Sequence, residues 1–81
     1  MSTEIMNNLA HYIASEILHQ PDRYIDPDEA IISSGLIDSF HLVDLAIFIE
    51  KNLGVQIDDT ELNADSFDTL NQLVELIAQR R

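Results

Sequence analysis

The chain has 81 residues, 46% of them hydrophobic, no cysteine, and fifteen acids against four Lys and Arg for a formal charge of −11. This is one domain, residues 1–81, able to bury about 60–65% of its unfolded surface and too apolar to stay disordered. The composition excludes a disulfide framework and thiolate chemistry, disfavours nucleic acid and anionic membranes, and leaves a basic protein as the partner such a surface attracts.

The first helix is expected to start near Ser2 or Thr3, either of which can cap it. Ile5, Leu9, Ile13 and Ile17 recur every four residues, Met6 and Tyr12 widen the stripe, and Gln20-Pro21 is the expected stop. The Met1-Ser2-Thr3-Glu4 start lacks the basic stretch of a secretory signal. No segment reaches the roughly 18 apolar residues of a spanning helix. A cytoplasmic monomer is the expectation.

Gln20 to Asp38 shows no periodicity, and a connection of that length is uncommon unless functional or disordered. Ile31, Ile32, Leu36 and Ile37 argue against disorder and are expected to pin it to the bundle. Its carboxylates Asp22, Asp26, Asp28 and Glu29 resemble part of a calcium loop but lack the glycine and the terminal acid, so no metal site is expected. The second helix is predicted over Ser39–Leu53, capped by Asp38 and stopped by Gly54. A short turn is expected near Asp59–Asn63. The last helix is expected from Ser66 or Asp68, with Leu70, Leu73, Val74 and Ile77 on one stripe and Arg80 and Arg81 at its negative end. No strand signal is present. The fold class is all-α, a small bundle of three to four helices with a long loop between the first and second.

The second helix is apolar on two sides. At about 100° per residue, Leu42, Leu45, Ala46, Ile49 and Leu53 fall on one face, and Phe40, Val43 and Ile47 nearly opposite, bordered by Asp44 and Glu50. Either the long loop folds over the second face or a partner uses it.

Ser39 opens that helix. As a nucleophile it would need a positioned base, yet His41 lies only two residues on, a spacing that projects it elsewhere, and no Gly-x-Ser-x-Gly elbow is present. No catalytic residue is assigned. A phosphate ester on Ser39 would sit at the positive end of the helix, beside free N–H groups.

Gly35-Leu36-Ile37-Asp38-Ser39-Phe40 resembles the attachment motif of acyl and peptidyl carrier proteins. The likeness runs along nearly the whole chain, through Gly54-Val55-Gln56-Ile57 to Phe67-Asp68-Thr69-Leu70. It implies a bundle of the acyl-carrier-protein type and a 4′-phosphopantetheine arm, taken from coenzyme A, on Ser39. Asp38 would cap the helix and help a phosphopantetheinyl transferase hold its metal. Phe40, Val43, Asp44, Ile47 and Glu50 match positions that dock partner enzymes: the transferase, an acyl- or aminoacyl-loading enzyme, and downstream synthases or transferases. Leu42, Leu45, Ala46 and Ile49 would line an interior that shelters cargo. His41, Phe48 and Lys51 depart from the fatty-acid type and imply a specialised carrier of a polyketide, nonribosomal-peptide or related pathway. The alternative is an unmodified acidic interaction module with a carrier-like fold.

Overall fold

The computed structural model describes residues 2–80, with side chains from Glu4 onward. Within them the chain forms three α-helices, α1 (Ser2–Tyr12), α2 (Ser39–Leu53) and α3 (Leu70–Arg80), and no strand. A π-helical turn, Ile13–Ile17, prolongs α1, and a 3-10 turn, Asp59–Glu61, lies between α2 and α3. The apolar stripes converge on one core: Leu9 and Ile13 from the first helix, Leu42, Leu45 and Ile49 from α2, Leu70, Leu73 and Ile77 from α3. The capping role assigned to Ser2 or Thr3 and the placement of Arg81 lie outside the described side chains.

The first helix stops short of Gln20-Pro21. The Leu18 amide reaches back to the Ile13 carbonyl (2.9 Å), and the Gln20 amide to Ala14 (2.7 Å). His19 stands between them with φ +55°. A left-handed residue ends a helix by turning the chain away, so the stop comes before proline can impose one.

The last helix starts later than expected, at Leu70. Thr69 Oγ1 accepts from the Gln72 amide (3.1 Å), and Gln72 Oε1 accepts from the amides of Thr69 (3.3 Å) and Asp68 (2.7 Å). This capping box satisfies the free donors of the first turn and releases Asp68 for another task. Its Oδ1 accepts from the amides of Ile32 and Ser33, both at 2.9 Å. Its Oδ2 takes the Ser33 hydroxyl, and its carbonyl takes the Ile31 amide (2.7 Å).

The long loop is therefore ordered by side chains and by hydrogen bonds. Ile25, Ile31 and Ile37 are buried, whereas Ile32 and Leu36 are half-buried. The Ile37 amide closes onto the Ile31 carbonyl (2.9 Å). A second tie joins Asn71 of α3 to Pro27 and Asp28, the Asn71 amide donating to the Pro27 carbonyl (3.1 Å) and Nδ2 to Asp28 Oδ1 (2.6 Å). At the far end Arg80 grips both carboxylate oxygens of Glu61 and donates to the Gln56 carbonyl (3.2 Å), which ties the 3-10 turn to α3.

Ile31 fills the core without solvent contact. Ile31→Ala is expected to cost about 2–5 kcal/mol in urea unfolding, a large part of a small domain's stability. The Ser33 hydroxyl, then the Ser33 and Ile32 amides, hold the Asp68 carboxyl below the ordinary aspartate range. A lowered native pKa stabilises fully above the unfolded value of about 3.9 and loses that contribution as pH falls through the native one. Asp68→Asn should therefore destabilise at neutral pH, with its gap to wild type closing progressively below about pH 4. An equal gap at every pH would assign the effect to packing instead.

Candidate functional site

The site is built on α2. Asp38 is its N-cap with extended backbone (φ −85°, ψ 174°), and Oδ1 accepts the His41 amide at 2.9 Å. The His41 ring returns to the same oxygen, Nδ1 lying 2.8 Å from it. The amide and then the ring of His41 keep the Asp38 carboxyl below its ordinary range. At the other end Gly54 takes φ +70°, where a side chain would be strained, and its amide reaches the Glu50 carbonyl (3.0 Å). The helix starts and stops where its cap residues dictate.

Ser39 is the first residue of α2 and is exposed. A phosphodiester on its hydroxyl would stand in solvent at the positive end of a 15-residue helix. The residues present fit such a group. Asp38, the nearest carboxylate in sequence, is occupied by His41, and the Ser39 side chain carries no part of the core. His41 Nδ1 is committed to Asp38, which removes that nitrogen as a base for Ser39.

The long loop does not cover the second apolar face. Phe40 is 83% exposed, and Val43 and Ile47 are each 44% exposed. Asp44 and Glu50 are exposed beside them, with Glu50 Oε1 accepting from Gln56 Nε2 (3.1 Å). The opposite face is packed: Leu42, Leu45 and Ile49 are buried in the core, and none of them lines a described groove. Ala46 is half-buried and borders a 220 Å³ groove with Val43, Ile47, Ile57 and Glu50.

Asp26, Asp28 and Glu29 of the loop are engaged internally. Asp26 caps the Asp28 amide (2.8 Å), Asp28 holds Asn71, and Glu29 pairs with Arg23 (3.3 Å). Among the described residues no cluster of His, Asp and Glu is arranged to hold a metal.

Three features escaped the sequence reading. One is the Asp38–His41 pair, which its i,i+3 spacing could have flagged. Another is exposed Tyr24 on the loop. The last is a 590 Å³ groove between α1 and α2, where Tyr12 and Phe48 stack at 4.1 Å. No local signal announces that stack, because the two rings meet only when the helices pack.

A profile described as phosphopantetheine attachment site matches residues 11–77. The chain is 34% identical over 74 residues to the D-alanyl carrier protein of Bacillus pumilus (strain SAFR-032), covering 91% of this chain and 95% of the relative. It is 30% identical over 67 residues to the D-alanyl carrier protein of Bacillus velezensis, covering 83% and 86%. In three dimensions it resembles the acyl carrier protein of Thermotoga maritima with a TM-score of 0.73 over 98% of this chain and 88% of that one, at 19% identity. The two structures thus share a fold, and the covalently attached group of the matched family is 4′-phosphopantetheine. With its helical bundle and the profile spanning most of its length, the chain belongs to the family of phosphopantetheine-binding carrier proteins.

Proposed function

We propose that Ser39 bears the phosphopantetheine arm and that the protein carries aminoacyl groups, delivering them to partner enzymes without catalysing a reaction itself. The observation that carries this reading is an exposed serine at the first position of a capped helix, inside the matched region and next to an uncovered apolar face. The arm, once attached, supplies a terminal thiol that holds cargo as a thioester. The chain's own residues supply the rest. Asp38 starts the helix, and His41 holds the Asp38 carboxylate in place. The first-turn N–H groups stabilise the phosphodiester charge. Phe40, Val43 and Ile47 offer an apolar strip with Asp44 and Glu50 at its rim, which suits brief docking to basic partners.

An aminoacyl cargo is supported by two relatives that carry D-alanyl groups. The polyketide and nonribosomal-peptide settings draw no comparable support. Interior shelter by Leu42, Leu45, Ala46 and Ile49 would require the packed core to open, and a short cargo does not need it. Tethering raises the effective concentration of cargo at a docked enzyme, so weak docking suffices.

Incubation with coenzyme A, magnesium and a broad-specificity phosphopantetheinyl transferase should add one phosphopantetheine to the intact mass. Ser39→Ala should abolish the gain and change stability by less than about 0.5 kcal/mol, because the side chain is exposed. A folded wild type that gains no mass beside a working control carrier would favour the unmodified interaction module. Asp44→Lys and Glu50→Lys should each slow transfer from partner enzymes about 3- to 10-fold, from loss of one charge pair and gain of one repulsion, and added salt should shrink the effect. Unchanged rates in both variants would move the docking face elsewhere.

A further inference from the structure

The apolar strip of α2 ends in a positive charge. At about 100° per residue Lys51 lies about 20° from Phe40 and about 40° from Ile47, on the same line and about 16 Å from Phe40 along the axis. It is exposed. Among the described residues Arg23 is paired with Glu29 and Arg80 with Glu61, whereas Lys51 enters no described ion pair. Its chain neighbour Glu50 is held by Gln56 on the far flank of the helix. The line therefore reads, from the Ser39 end, apolar anchor (Phe40), carboxylate (Asp44), apolar contact (Ile47), cation (Lys51).

We infer that Lys51 sets partner choice and docking direction: the enzyme surface that receives α2 carries a carboxylate facing Lys51, in addition to cations facing Asp44 and Glu50. This rests on the docking face proposed above and adds the chemistry of its occupant. A surface that is acidic throughout attracts any basic enzyme and leaves direction undecided. One cation at the end far from Ser39 breaks that degeneracy. A partner docked in reverse would set Lys51 against its own cations and Asp44 against its carboxylate, and like charges in contact are costly. An enzyme built for uniformly acidic carriers is rejected for the same reason. Only the forward orientation brings the Ser39 end to the enzyme's reaction centre.

The test uses the full chain converted to its phosphopantetheine form, verified by intact mass. The probe is the enzyme that loads D-alanine onto the D-alanyl carrier protein of Bacillus pumilus, a carrier 34% identical to this chain. Lys51→Glu is expected to raise KM for the carrier about 3- to 10-fold, from loss of one charge pair and gain of one repulsion, with kcat unchanged. Lys51→Arg should behave as wild type, and high salt should erase the defect of Lys51→Glu. Circular dichroism should be the same for all three proteins. Transfer that is indifferent to residue 51, or a change in kcat alone, would overturn the role of Lys51 and leave the carrier reading standing. No mass gain on attempted conversion would overturn the carrier reading, and no D-alanine transfer to the wild-type protein would overturn a D-alanyl cargo; either result would take this inference with it.

Discussion

The carboxylate of Asp68, just before α3, gathers the amides of Ile32 and Ser33 from across the bundle, each at 2.9 Å. Ile31 beside them is driven into the core by its side chain and held by the Asp68 carbonyl. These contacts fix a connection of a length that otherwise wanders. They hold the middle of the loop, the Ile37-to-Ile31 closure brings its end back, and Asp38 then starts α2 at a defined point in space. The placement of Ser39 is thus set by a residue far away in sequence. An acidic residue there does what a neutral one would do less well, because a charged acceptor strengthens each amide hydrogen bond it receives.

The bundle is too small to bury all the apolar surface its second helix carries. Burial of Leu42, Leu45 and Ile49 uses one face, and the loop, pinned to α3, is not free to lie over Phe40, Val43 and Ile47. The same interactions that order the loop therefore leave the strip open. An exposed strip of this kind invites aggregation unless charge surrounds it. A formal charge of −11 supplies that protection. The acidity serves a second purpose in the proposed docking, where it speeds encounters without making complexes long-lived.

Positive charge is sparse, and its placement is correspondingly informative. Arg23 and Arg80 hold the fold, one within the long loop and one between α3 and the 3-10 turn. His41 meets Asp38 at the helix entry. Lys51, the basic residue of the last turn of α2, suits the negative end of that helix, yet alone among the described Lys and Arg it enters no ion pair, and it stands on the line of exposed apolar residues. Structural and recognition roles thus divide among a few cations according to whether a carboxylate of the same chain lies within reach.

Much of this was legible in the chain. The helical periodicities, the Asp38 cap, the Gly54 stop, the two-faced second helix and the resemblance carried by Gly35 to Phe40 all depend on neighbours within a few residues, and the geometry of a helix makes such patterns readable. The same local logic could have read the Thr69–Gln72 capping box, yet an acid-rich approach to the helix offered Ser66 and Asp68 as rival starts. That Thr69 caps the helix while Asp68 pins the loop was decided when the loop packed on α3. Packing also decided that Tyr12 and Phe48 would stack and that the face of Phe40, Val43 and Ile47 would remain uncovered. The sequence by itself determined the helical stripes, the Asp38 cap and Gly54 stop of α2 and the serine that opens it, because those follow from local sterics and hydrogen bonding. Only the tertiary structure decided which surface of α2 meets solvent, because that depends on contacts between segments more than thirty residues apart, as from Ser33 to Asp68.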